Sequence, residues 1–448
     1  MSDRVIRSRR IVTPEGLVDG AVIVRDGRIV EVARGEVAGP PGAERIDATA
    51  EVVMPAVVDC HAHINEPGRT EWEGFETATR AAAAGGIATV VDMPLNSIPP
   101  TTTLSALQTK VAAAEGRCAI DYGFWGGVVP ENAGELERMV EAGALGFKAF
   151  LCPSGVDEFP QSTRADLDEA MPVLARAGVP LLVHAELENA APASTGGEPR
   201  AYATWLNARP REWENAAVRM MIDLCRAHRC RVHIVHLSSA DALTDIRRAR
   251  EEGLPLTVET CPHYLTFSAE EIDAGATHFK CAPPIREAEN RERLWDAVKD
   301  GTIDFVVSDH SPCTPALKGL ETGDFGAAWG GIAGLQFSLP AVWTGMRARG
   351  LGLEWLARVM CERTAAFIGV SRSRGRIAPG LRADLVLFDP DADFTPQPKD
   401  VLHRHPLTPW SGRRLYGRVR TTFLAGERIY ADGTFPAPPS GRRVTREA

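Results

Sequence analysis

The feature that most limits how this chain can fold is a repeated alternation of short apolar runs with helix-length segments rich in Ala, Glu and Arg. The runs are VVMPAVVDCHAHIN, ATVVDMPLN, IDYGFWGGVV, GFKAFL, PLLVHAE, RVHIVHLSS, PLTVETCPHYL and TIDFVVSDHSP, spaced by segments such as ETATRAAAAGG and ENAGELERMVEAG. Parallel strands need a crossover of a dozen or more residues, which a helix supplies, and strands covered by helices read as nearly continuous apolar runs. Eight such units predict an α/β fold of the (β/α)8 TIM-barrel type.

The 448 residues exceed what the barrel needs, which leaves room for one accessory domain. The first fifty residues alternate apolar and polar, as in AVIVRDGRIVEVA with a hairpin turn at Asp26-Gly27, and RADLVLFDP and VRTTFLAGERIY repeat the pattern near the C-terminus. Both chain ends therefore pair as one small β-sandwich domain, residues 1–53 with 373–448, and the barrel occupies 54–372.

In a barrel the loops after the strands converge on one mouth, so reacting groups collect there. The first strand ends in His61 and His63, the fourth in Lys148, the fifth in His184, the sixth in His236 and the eighth in Asp309. His61 and His63 point the same way because side chains alternate with period two. Any one buried histidine, or one H-x-H, reads equally as a hydrogen-bonded core residue. The convergence of all six groups points instead to ligands of a borderline metal such as zinc.

Lys148, between Phe147 and Ala149, loses solvation on burial, which favours the neutral amine. Such an amine adds carbon dioxide, giving a carbamate that bridges two cations; the alternative is a lysine paired with a carboxylate or reaching solvent. Asp309 has two expected roles, metal ligand and acceptor of a proton from a bridging hydroxide, with a structural salt bridge as the alternative. Two divalent metals sharing a hydroxide favour amide hydrolysis over redox or transfer chemistry. His263 and His310 lie near the mouth in supporting roles, and His228, His233, His278, His403 and His405 have no convergence argument.

The net charge of −9 excludes a surface built for nucleic acid, so the expected partner is a small-molecule substrate. No apolar segment marks a secretory signal or a membrane span, and nine cysteines without a C-x-x-C pair fit reduced thiols in the cytoplasm. Cys60, Cys152, Cys281 and Cys313 neighbour the candidate ligands, but the expectation for each is an inert core residue. Trp72, Phe75 and Trp329 are expected to pack the barrel rim.

Over essentially the whole chain these residues resemble the cyclic amidohydrolase branch of the amidohydrolase superfamily. The matching pattern is His61, His63, a carboxylated Lys148, His184, His236 and Asp309, followed by RGRIAPGLRADLVLFD before the small β-domain. Within the branch, INEPGRTEWEGFETATRAAAAGGIATVVDMPLN, GFKAF, ETCPHYLTF, KCAPPIRE, VSDHSPC and WGGIAGLQ are most similar to the allantoinase family. The resemblance implies two divalent metal ions, zinc first among them, hydrolysis of (S)-allantoin to allantoate, and a homotetramer. It implies substrate contacts at Asn96, Ser311 and Ala282, the last departing from the serine usual in that segment. Dihydroorotases place an arginine two residues after the second histidine to hold a carboxylate; here that position is Asn65. Hydantoinase or dihydropyrimidinase activity remains open, as does a more remote non-catalytic scaffold of the dihydropyrimidinase-related kind.

Overall fold

In the computed structural model, which describes residues 3–35, 37, 39–194 and 196–447, every expected apolar run supplies a barrel strand. In order these are Val57–Ala62, Ile87–Asp92, Asp121–Phe124 continuing into Gly126–Gly127, Phe147–Phe150, Leu181–His184, Val232–Ile234, Leu256–Thr260 and Phe305–Val306. All pair in parallel with their sequence neighbours. The third run bends at Trp125 and serves two arcs, one with the first two strands and one with the last five. At the other seam the arcs meet through an isolated bridge, Ala62 with His310, and the His63 amide donating to the His310 carbonyl at 2.7 Å. The ladder is therefore not a continuous closed sheet there.

The helices pack where the sequence keeps their inner faces small or apolar. Phe75–Ala84 buries Phe75, Ala78 and Ala81 to Ala84, so this helix lies close to the strands. Arg164–Ala177 starts at a reciprocal cap between Thr163 and Asp166 and stops at Gly178, whose φ of 67° is left-handed. Among the described residues no helix is long and apolar enough to cross a membrane.

The two chain ends do share one sheet. Arg4–Thr13, Gly16–Arg25, Arg28–Arg34, Glu44–Asp47 and Val52–Pro55 join Leu385–Phe394, Leu415–Leu424 and Glu427–Ala431. The Asp26-Gly27 turn has φ of 49° and 76°, the left-handed pair a two-residue hairpin requires. Apolar side chains of both ends, among them Ile6, Val22, Val53, Leu385 and Phe423, enclose a core separate from that of the barrel.

Two details depart from the expected domain limits. Val52–Pro55 pairs antiparallel with Leu385–Phe394, so a boundary after residue 53 cuts a strand; the chain enters the barrel only at Val57. The last residues also leave the β-domain: Val444 donates to the Tyr122 carbonyl at 2.7 Å and Gly441 to that of Cys118 at 2.9 Å. The cause is Asp121, buried at the start of the third strand. It accepts from Arg374 Nη1 at 3.0 Å and from the Arg442 amide at 2.8 Å, and Arg382 Nη2 lies 3.1 Å away. One carboxylate thus ties three C-terminal segments to the barrel floor.

Replacing Asp121 by Ala leaves the buried Arg374 guanidinium with only the Thr89 hydroxyl at 2.8 Å and a more distant Asp384 oxygen at 3.9 Å, a loss of up to about 3–5 kcal/mol. The expected outcome is a lower chemical-denaturation midpoint for D121A; an unchanged midpoint would remove Asp121 from this role.

Candidate active site

The expected ligands come together at the C-terminal ends of the strands. His61 Nε2 lies 3.2 Å and His63 Nε2 3.6 Å from the same Asp309 oxygen. His184 Nδ1 and His236 Nε2 approach to 3.1 Å, and the His61 and His236 rings are 5.5 Å apart. Lys148 is fully buried, 5.0 Å from the Phe150 ring, and its Nζ has no hydrogen-bond partner. His61 Nε2 and His236 Nδ1 are likewise buried without hydrogen bonds. His236 and Asp309 have left-handed φ values of 39° and 44°, conformations that cost energy in non-glycine residues and concentrate at functional sites.

The imidazoles are oriented from behind. His61 donates from Nδ1 to Glu259, whose other oxygen is 3.0 Å from His233 Nε2. His184 donates from Nε2 to Glu186 at 2.7 Å. A carboxylate only accepts, so these contacts place a hydrogen on each rear nitrogen and aim the other nitrogen of each ring at the site. Glu186 is in turn held by Arg209 through Nε at 3.0 Å and Nη2 at 2.6 Å. Asp59 takes the amides of His61 and Ser308 at 3.1 Å each, fixing the first strand against the eighth.

The electrostatics favour bound cations. Burial lowers the His61 pKa, but Glu259 and Asp309 outweigh it and raise the imidazole to about 9. Burial pushes Asp309 up, yet the surrounding imidazoles, His61 foremost, hold it well below the usual carboxylate range. Burial drives His63 and His236 well below the ordinary imidazole value and lowers Lys148 to about 8. Neutral imidazoles at His63 and His236, a His61 ring whose extra proton a cation would replace, a persistent carboxylate and a buried amine with a lowered pKa form a nitrogen and oxygen donor set. Buried orphan nitrogens facing a carboxylate fit such ions; His61, His236 and Asp309 offer three ligand atoms within 4.8 Å of one another.

Above these groups opens a cavity of about 330 Å³. His63, Lys148, His184, His236 and Asp309 face it from below, and Asn96, Ala282 and Ser311 line its side. Asn96 has an unpartnered buried Oδ1 and an Nδ2 3.5 Å from His63 Nδ1, while Ser311 donates to Asp309 at 2.9 Å. Asn65 turns its amide to the Pro312 carbonyl at 3.2 Å. Trp205, Arg209, Lys280 and Trp329 also line it. Trp329 thus lines the cavity as well as packing edge-on to Trp72 at 4.8 Å, whereas Phe75 is buried against Phe124.

Among the described residues all nine cysteines are buried and unpaired. Burial raises Cys152 and Cys281 to about 12 and Cys313 to about 11, and drives Cys60 well above its ordinary value, so these thiols stay protonated and inert. His310 turns away to Glu73 at 3.2 Å, and His263 is buried with neither nitrogen hydrogen-bonded.

Sequence reasoning missed Asp59, Glu186, Glu259 and Arg209 and left His233 without a role. The signal existed for the first two: Asp59 stands two residues before His61 and Glu186 two after His184, so alternation puts them on the ligand side.

Residues 52–429 match the amidohydrolase family, whose members are metal-dependent, and residues 4–39 match the allantoinase composite domain. An allantoinase of Streptomyces avermitilis is 50% identical, covering 99% of this chain and 98% of that protein. Those of Arabidopsis thaliana and Saccharomyces cerevisiae are 44% and 46% identical, covering 97% and 86% of this chain and 90% and 85% of their own lengths. Among solved structures, the L-hydantoinase (dihydropyrimidinase) of Arthrobacter aurescens superposes with a TM-score of 0.92 at 31% identity, over 100% of both chains. The dihydropyrimidinase of Brevibacillus agri gives 0.90 at 29% identity, over 99% of this chain and 98% of that one. With the fold, the donor cluster and both matched segments in agreement, this chain belongs to the amidohydrolase family and, within it, to the allantoinase family.

Proposed function

We propose that the protein is an allantoinase, hydrolysing the hydantoin-ring amide of (S)-allantoin to give allantoate. The observation that carries the reading is the unpartnered Lys148 amine, fully buried among four imidazoles and Asp309 in a chain of allantoinase likeness. His61, His63, Lys148 as its carbamate, His184, His236 and Asp309 would hold two divalent ions, zinc first among them. When bound, the ions supply an activated water and polarise the amide carbonyl under attack.

The protein's own groups do the rest. Asp309, kept ionised by its imidazole neighbours, takes the proton from the attacking water and delivers it to the departing ring nitrogen. That nitrogen must be protonated, since an amide anion is a poor leaving group. Ser311 donates to Asp309 Oδ1 and so orients the carboxylate, and the free Asn96 Oδ1 accepts from a ring N–H. Ala282, without a hydroxyl, contributes through its backbone. Glu259 and Glu186 hold the His61 and His184 rings by their rear N–H groups. The reading extends to a homotetramer working in the cytoplasm, in keeping with nine unpaired thiols.

Purified protein supplied with zinc and bicarbonate should turn over allantoin in preference to dihydroorotate, dihydrouracil and unsubstituted hydantoin, and should lose that turnover when stripped of metal. Preference for dihydroorotate or dihydrouracil would retain the site and replace the substrate. Asp309→Asn should lower kcat by at least about 10²- to 10⁴-fold, the range for a lost general acid–base group. Lys148→Ala, lacking the bridging group, should bind fewer than two metal equivalents by elemental analysis; full occupancy would contradict the carbamate.

A further inference from the structure

Besides Lys148, the cavity lining carries two cations, Lys280 and Arg209, and they differ in what they have left to give. Lys280 is spent: its Nζ donates to the Gly326 and Ala328 carbonyls and rests 4.2 Å from the centre of the Trp205 ring. Arg209 is held more rigidly and is only partly used. Its guanidinium lies between Trp205 and Trp213, at 5.3 and 5.5 Å from their ring centres. Nε and Nη2 are committed to the two Glu186 oxygens, and the Arg209 carbonyl accepts from Arg286 at 3.4 Å. Nη1 makes no hydrogen bond within the protein, on a residue that lines the cavity. A guanidinium fixed on two nitrogens, with a third free, is a preorganised donor pair that loses little entropy on binding.

We infer that Arg209 is a specificity-determining residue: Nη1 donates to a neutral carbonyl oxygen on the substrate's exocyclic arm while the ring lies over Asp309. In the allantoin reading, on which this rests, that oxygen belongs to the ureido group. The arm is neutral because Glu186 already balances the guanidinium charge, so a carboxylate would gain less than its own desolvation costs. A hydrogen-bonding site rejects analogues that lack the partner, because its donor is then left buried and unmet. The site therefore selects cyclic amides with an acylamino or ureido arm over those with an alkyl arm of equal length.

Arg209→Lys keeps a cation against Glu186 but removes the fork. Its specificity ratio, kcat/KM on allantoin over kcat/KM on unsubstituted hydantoin, should fall about 10- to 100-fold, the loss of one hydrogen bond from a charged donor. A ratio within about threefold of the parent would overturn the inference whatever the absolute rates do, because a residue acting only through Glu186 and His184 slows both substrates alike. If the variant fails to fold, the parent enzyme decides: 5-acetamidohydantoin should be used at least about tenfold better than 5-propylhydantoin. Equal use, or preference for a carboxylate arm, would overturn it. Failure of the parent on allantoin would remove the allantoin reading, yet the acetamido and propyl pair would still decide Arg209.

Discussion

Everything at the barrel mouth depends on buried carboxylates paired with imidazoles, and two of them, Glu259 and Asp309, have no ammonium or guanidinium partner. Glu259 and Asp309 sit on either side of His61, Glu259 fully buried and Asp309 reaching only the cavity, so solvent does little to stabilise either charge. An acidic pair around one neutral ring leaves a deficit of positive charge, which a proton on His61 fills only in part. The barrel can keep such an arrangement because its strands pair in parallel within each arc and Asp59 and the Ala62–His310 bridge tie the first strand to the eighth. The cost of burying the carboxylates is spread over a rigid scaffold and recovered when cations bind.

The backbone shows where that scaffold is stretched. The sixth strand gives way at Val235, His236 turns left-handed, and the eighth strand ends at Val306 before Asp309 does the same. Asn65 and Asn96, in the loops after the first two strands, have φ of 65° and 69°. Asparagine, aspartate and histidine tolerate this region better than most residues, so all four positions are occupied by residue types that meet its cost most cheaply. At His236 and Asp309 the turn is held by neighbouring contacts: the Ser311 hydroxyl on Asp309 at 2.9 Å, and Glu259 on the His236 amide at 3.3 Å.

The candidate ligand set was legible because its residue types are ones that apolar strands otherwise avoid, each at a strand end. The groups behind it were harder to read. Glu259 lies inside PLTVETCPHYL, where one carboxylate in an apolar strand signals burial with a partner but not which partner; His61 is 198 residues away. His233 lies in the middle of Val232–Ile234 and bridges Thr257 and Glu259, two residues of one parity on the adjacent strand. Such pairings are fixed by register, and a sequence reveals alternation but not register across a parallel ladder. Asp121 hides for the same reason, since its arginine partners are more than 250 residues distant.

Arg209 shows a further limit of reading by residue type. An arginine near a binding cavity suggests an anionic substrate, and the absence of arginine at Asn65 suggests the opposite. The contradiction dissolves once Glu186 is seen to occupy one face of the guanidinium, because the pair is neutral and only its hydrogen-bonding direction remains. The same carboxylate holds the His184 ring, so the device that aims an imidazole at the reacting centre also strips the charge from the cavity wall. Ring orientation and selection of a neutral arm are then two consequences of one buried carboxylate, and neither can be altered at Glu186 without disturbing the other.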